Sequence, residues 1–243
     1  MTKGYTGEII RQHADGRQEG DYVAVHVDRV LVHEPALALI MDTFETSGMS
    51  VFDPEQVLLT VDHFAPPSTV ERATIVKKVL EFAKQAGLTR TQVYRGICHQ
   101  LFIEMSDVLP GGLFVGSDSH TTTAGALGCM ATGMASTDIF YTLVTGNTWL
   151  RPPDAVRVDL SGKLPVAVMG KDIILYLLGK AGEGGYLHQA LEFYDLESGI
   201  SMDDRFTICN MVVEGGAKNG LFFPDDVTNA YVTKRDGRAE LSA

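Results

Sequence analysis

The chain is short of several things, and each shortage narrows what it can be. Three cysteines, Cys98, Cys129 and Cys209, are spread over 243 residues, and no Cys-x-x-Cys occurs. That pattern excludes a disulfide framework. No apolar stretch approaches the roughly 20 residues that a membrane-spanning helix needs. The opening MTKGYTGEII has no apolar core of signal-peptide length. The expectation is a cytoplasmic protein with no membrane partner. Basic residues are scarce beside acidic ones, 20 against 31, for a net charge of −11. Such a balance argues against nucleic acid and anionic lipid as partners, because both need a basic surface. It leaves room for a small anionic substrate, since a local site can oppose the overall field.

What is present is ordinary globular material, with 45% apolar and 21% charged residues. A chain of this length buries about 70–75% of its unfolded surface and needs no covalent or metal staple. GDYVAVHVDRVLVHE (20–34) alternates and is rich in valine, which reads as one or two strands. PALALIMDTFETSG (35–48) opens on proline and closes on glycine, the start and stop signals of a helix. QVLLTVDHFAPP (56–67) reads as a buried strand and a loop. STVERATIVKKVLEFAKQAG (68–87) is a helix capped by Ser68 or Thr69 and stopped by Gly87. TQVYRGI (91–97) and GLFVGSDSH (112–120) read as strands with polar tips. The small residues of 123–146 read as one helix. Strands alternating with helices imply a mostly parallel sheet covered on both faces. A hinge at Pro152-Pro153 divides the chain into an α/β/α unit, 1–150, and a smaller α/β unit, 151–243. In the second unit, 170–182 and the start of 205–226 have helical spacing, and the polar tail 232–243 shows no sign of closed structure.

Ligands of open α/β sheets bind beyond the carboxyl ends of the strands. Three such ends carry ionisable groups here: Asp62-His63, Cys98-His99 and Asp118-Ser119-His120. Taken singly, each has a plain structural explanation. A histidine after a strand is usually a loop residue, and Ser117 or Ser119 can cap the helix that follows. Three tips of one sheet converging with histidine and carboxylate point instead to proton transfer. The segment after His120 begins a helix, whose free N–H groups favour an anion. Asn210 and Glu214 stand four apart and share a helix face before Gly215-Gly216.

Several segments, in order, resemble the aconitase family: VDHFAP, GICHQ, GSDSHTTTAGALG, ATGMASTD, KDIIL, TICNMVVEGGAK and PDD. The resemblance is strongest to the branch of 3-isopropylmalate dehydratase large subunits and homoaconitases. It runs over nearly the whole chain. It implies the family's first two domains without the third, and a hydro-lyase that isomerises hydroxy-di- or tricarboxylic acids by removing and re-adding water. By position it makes His63, His99, Asp118, His120 and Glu214 catalytic. His33, Asp62, Ser119 and Asn210 become substrate-binding, and Asp118 and His120 an acid-tuning pair. It also implies a [4Fe-4S] cluster, yet the family's Ser-Cys-Thr-Asn and Cys-Gly-Pro-Cys segments are absent from these 243 residues. Cys98, Cys129 and Cys209 do not match them. The expectation is therefore one half or a split subunit. A second chain or C-terminal region would carry the cluster cysteines, with a small subunit beside it. Two alternatives stay open: a metal-dependent hydrolase using His63, His99, His120 and Asp118, and a non-catalytic binding or assembly subunit.

Overall fold

The computed structural model of the protein describes residues 4–105, 107–182, 184–197 and 199–241. Helix α1 (Tyr5–His13) leads into a hairpin, β1 (Ala14–Glu19) and β2 (Tyr22–His26). Then come β3 (Arg29–His33), α2 (Glu34–Ser47), β4 (Val57–Val61), α3 (Val70–Gln85), β5 (Thr91–Val93), α4 (Cys98–Met105) and β6 (Leu113–Gly116). A 3-10 helix (Ser119–Leu127), β7 (Met130–Gly133), α5 (Ser136–Thr145) and β8 (Asn147–Leu150) follow. The remainder is β9 (Asp154–Leu160), α6 (Gly170–Ala181), β10 (Gln189–Asp195), α7 (Met202–Met211), a 3-10 turn (Val212–Gly215), β11 (Asn219–Phe222) and α8 (Asp226–Leu241).

The central sheet has five strands in the order β5-β4-β3-β6-β7, and every pairing is parallel. Alternation along each strand decides which layer it feeds. Val30, Val32, Val57, Leu59, Leu113, Val115 and Met130 join one core, with α2, α3 and α5 packed on it. Their neighbours Leu31, Leu58, Phe114 and Ala131 face the other way, into a second core. That second core also holds Phe102 of α4, Ala124 of the 3-10 helix, and Leu191, Phe193, Ile208 and Phe222 from beyond Pro153. A second parallel sheet, β11-β10-β9, therefore shares one apolar layer with the first. Each fully buried Leu, Phe or Val contributes about 1.5–3 kcal/mol. The hairpin pairs with β8 in a separate antiparallel sheet of three strands. The α/β/α architecture with a smaller α/β unit is thus present. Thr69 is the cap of α3, its hydroxyl accepting from the Arg72 amide.

Three segments depart from the sequence expectation. Residues 123–146 are not one helix: Gly128 turns left-handed (φ 75°), β7 intervenes, and α5 restarts at Ser136. The small residues there serve close packing. A Cβ on Gly125 would run into the Gly220 carbonyl, so this glycine is where the 3-10 helix meets β11. Cys98 and His99 open helix α4 and do not end a strand. The tail is helical through most of its length, in α8, whose Arg235 guanidinium donates to the carbonyls of Ile103 (3.0 Å) and Val108 (2.8 Å). Residues 242–243 lie outside the described residues. Among the described residues no helix is long and apolar enough to cross a membrane.

Candidate functional site

From β3 the chain winds outward through β4 to β5, then crosses back to β6 and β7 on the other side. The crevice between β3 and β6 is therefore the switch point of the sheet, where open α/β folds place ligands. His33 is the last residue of β3, Asp62-His63 follow β4, and Ser117-Asp118 follow β6. His99 reaches the same edge from the first turn of α4. Asn210 and Glu214 arrive from the second unit, on α7 and the 3-10 turn after it rather than on one continuous helix.

Asp118 is the hub. Its Oδ1 lies 3.0 Å from His99 Nε2 and accepts the His120 amide at 2.8 Å. Its Oδ2 lies 3.4 Å from His63 Nε2. The hydrogen bond from His99 holds its carboxyl well below the usual carboxylate range, with the His120 amide adding to it, despite partial burial. Asp118 also caps the 3-10 helix. The anion expected at that helix start is therefore this carboxylate itself. The His120 ring is farther from Asp118, at 3.5 Å, and its Nε2 instead meets Glu214 Oε1 at 3.1 Å. So Asp118 pairs with His99 more closely than with the His120 ring expected to be its partner.

Asp62 accepts the Cys98 amide at 2.8 Å and the Thr60 hydroxyl at 3.0 Å, and sits 3.1 Å from His63 Nδ1. Burial pushes its carboxyl up, but these donors outweigh it and hold Asp62 low. Burial likewise pushes His63 down, and Asp62, with Glu34 and Asp118 behind it, raises it overall. His63 is thus a ring with a carboxylate near each nitrogen, Asp62 at Nδ1 and Asp118 at Nε2. Its face stacks on His33, with centroids 4.1 Å apart and planes 28° apart. His33 is buried, and the cost of burying its charge, with His63 beside it, lowers it to about 4. Its Nδ1 accepts the Ala36 amide and its Nε2 faces the Ser117 carbonyl at 3.2 Å. Both nitrogens are used inside the fold, the behaviour of a neutral ring.

Around the rim, Ser119 Oγ is 3.2 Å from His120 Nδ1 and is exposed. The Asn210 amide donates to Thr123 Oγ1 at 2.9 Å. Six of the residues singled out from the sequence meet here in three His–carboxylate pairs, Asp62–His63, Asp118–His99 and Glu214–His120, with His33, Ser119 and Asn210 beside them. Sequence reasoning missed Glu34, a fully buried carboxylate that accepts the Asp62 and Phe64 amides. It also passed over Ser117 as anything but a helix cap, whereas its hydroxyl accepts the His33 amide at 3.0 Å. The only early signal for Glu34 was its place in an apolar context beside His33.

One atom in the pocket has no partner among the described residues: His99 Nδ1 is buried and unpaired. An imidazole that donates from Nε2 to Asp118 leaves Nδ1 as a bare acceptor, shielded here from solvent. The donor atoms of His99, Asp118 and His120 lie within 4.8 Å of one another, close enough to share one cation. The three thiols are elsewhere in character. All are buried and unpaired with one another, and burial pushes each well up. The Cys129 thiol donates to the Ala124 carbonyl.

Comparison with known proteins places the chain in a family. The model of the aconitase family (aconitate hydratase) matches residues 7–243. The 3-isopropylmalate dehydratase large subunit of Syntrophus aciditrophicus is 41% identical over 239 residues, covering 96% of this chain and 57% of that protein. The Aquifex aeolicus large subunit is 41% identical (96% and 55%), and large subunit 1 of Methanopyrus kandleri is 37% identical (94% and 56%). The chain thus spans somewhat more than half the length of these relatives. Among solved structures, aconitase X of Thermococcus kodakaraensis in its holo-form superposes with a TM-score of 0.52 at 14% identity. That match covers 90% of this chain and 57% of the other, and bears on the fold alone. By the family model and the extent of the match, the chain belongs to the aconitase family.

Proposed function

We propose that the chain supplies the acid–base half of a hydro-lyase that reversibly dehydrates a hydroxy-di- or tricarboxylic acid of the 3-isopropylmalate kind. The observation that carries this is the set of three His–carboxylate pairs gathered at one switch point. Removing water from a hydroxy acid requires a proton for the leaving hydroxyl. His63, raised and held by Asp62 and Asp118, is the donor suited to it. His99, paired with Asp118 through Nε2, completes the acid–base set beside His63. His120 and Glu214 form the third pair, which binds and positions the water that departs or returns. Ser119 and Asn210 supply hydroxyl and amide groups to the same pocket. Asn210 and Glu214 come from 151–243 and the other groups from 1–150, so the pocket lies between the two units proposed from the sequence.

The iron–sulfur cluster associated with the family finds no ligand set among the described residues. A cluster binds thiolates, and burial disfavours that form at Cys98, Cys129 and Cys209. The charge of the pocket points the same way. Glu34, Asp62, Asp118 and Glu214 have no Lys or Arg ion pair among the described residues; the partners are histidine, amide or hydroxyl groups. A substrate with two or three carboxylates needs cations that this pocket does not offer. We assign them, and any metal group, to a second chain or further region that completes the site, with a small subunit beside it. The relatives' greater length supports this.

The hydrolase alternative draws only on the proximity of His99, Asp118 and His120, and the relatives' names do not support it. The test is co-purification of this chain with a second chain, followed by a dehydration assay that reads the new carbon–carbon double bond by ultraviolet absorbance. Turnover of 3-isopropylmalate by the complex supports the proposal. Metal-dependent hydrolysis by the isolated chain, lost in His120→Ala, would replace it.

A further inference from the structure

Glu34 has no role in the pairs described above, and its surroundings are unusual for a carboxylate. It is fully buried, yet no Lys or Arg contacts it among the described residues. A buried carboxylate is tolerated only when donors replace water. Here the donors are two backbone amides of one turn: Asp62 N–H to Oε2 at 3.3 Å, and Phe64 N–H to Oε1. The residue between those amides is His63. The neighbour of Glu34 in sequence, His33, faces the His63 ring. The His33 ring stacks on His63 while its own nitrogens are committed to Ala36 and Ser117. Residues 33 and 34 sit at the junction of β3 and α2, on the central strand of the sheet.

We propose that Glu34 is a positioning residue whose buried carboxylate sets the turn that carries His63, with His33 as the platform under the ring in place of a direct substrate contact. The catalytic half of this proposal rests on the acid–base reading of His63, and the geometric half does not. The turn 62–64 is half exposed, and without Glu34 its amides would turn to water. His63 would then keep Asp62 as a partner but lose its register against Asp118. A misplacement of about 1 Å in a reacting group costs on the order of a hundredfold in rate.

Amide hydrogen exchange on the isotopically labelled chain tests it, comparing the parent with Glu34→Gln. Glutamine keeps the shape but offers one acceptor oxygen and sets an NH2 against a backbone N–H. The expected result is exchange about tenfold or more faster at both Asp62 and Phe64, the order expected for a lost charge-assisted bond. The His63 Cε1–H resonance should also lose the upfield displacement that stacking on His33 produces. The Glu55 amide, held by Asp53 in a remote turn, is the control and stays unchanged. Unchanged exchange at 62 and 64 with an unchanged His63 resonance would overturn the proposal. Should the variant not fold, the parent still decides. Amides 62 and 64 must exchange slowly despite their loop position, and exchange at free-loop rates would overturn it. Turnover by the co-purified complex separates the two halves. A lower kcat at unchanged KM, alongside the altered exchange, supports both. Altered exchange with parental turnover overturns the catalytic half. Altered exchange with no turnover even in the parent complex sinks the hydro-lyase reading while Glu34 keeps its place.

Discussion

The molecule holds His–Asp contacts at both ends of its central sheet, and only one end looks like chemistry. At the amino end, His13 Nε2 lies 3.0 Å from Asp28 Oδ2, while His13 Nδ1 takes the Ile9 carbonyl near the end of α1. Asp28 accepts the Leu113 amide at 2.8 Å and so fastens the start of β6. Each group closes a backbone bond that packing leaves open, and there the network stops. At the carboxyl end, Asp118 alone faces His63, His99 and the His120 backbone, and the chain of contacts runs on to Asp62 and Glu214. A pair that saturates local backbone is structural. A set that links three rings and three carboxylates across the switch point is suited to acid–base chemistry.

The sharpest way to break that contrast is to neutralise each hub. Asp118→Asn should lower turnover of the complex by about 10²–10⁴, the range for losing a positioned acid–base group. Stability should fall as well, because the carboxylate held ionised by His99 is lost, although asparagine can still cap the His120 amide. Turnover within a fewfold of the parent would remove Asp118 from its place. Next in size, Gly125→Ala should destabilise by about 3 kcal/mol in thermal or urea unfolding, because its Cβ meets the Gly220 carbonyl. A neutral result would mean that the two units are not locked there.

Two histidines, His33 at the carboxyl end and His13 at the amino end, should respond to pH with opposite sign. His33 is lowered to about 4 in the folded protein, against about 6.5 when unfolded. Its contribution is present above pH 6.5 and is lost as pH falls toward 4, on the order of 3 kcal/mol in all. Asp118, also lowered, loses its contribution in more acid solution, below the ordinary carboxylate range. His13 is raised by its hydrogen bond to Asp28, so its contribution is full below about pH 6.5 and is lost as pH rises through the folded value. Urea unfolding against pH should therefore show a rise from pH 4 to 6.5. His33→Gln should flatten that rise, and His13→Gln should leave it alone. The smallest effect is expected from Asp28→Asn, about 1–2 kcal/mol of stability, with the site's kinetics unchanged.

Much of this was legible in the primary structure, for identifiable reasons. Val30-Leu31-Val32 and Val57-Leu58-Leu59 announce strands buried on both faces, and the structure splits them between two cores. Asp62-His63 and Asp118-Ser119-His120 were visible because partners lie beside each other in sequence. Which carboxylate takes which ring was not visible. His99 joins Asp118, and His120 joins Glu214 across 94 positions, contacts that only the sheet order creates. Glu34 was hidden for the same reason, as its amide partners are 28 and 30 residues away. The break inside 123–146 escaped because alanine, glycine and threonine suit tight packing as readily as helix. Helix α8 escaped because its anchoring bonds run from Arg235 to carbonyls more than 120 residues earlier.

The most direct test of the central claim sets the two ends against each other in one assay. The parent, Asp118→Asn and Asp28→Asn are each co-purified with the completing chain, and 3-isopropylmalate dehydration is followed at equal folded concentration. The account predicts parental turnover for Asp28→Asn and a loss of at least about a hundredfold for Asp118→Asn. Equal rates in the two variants would contradict it.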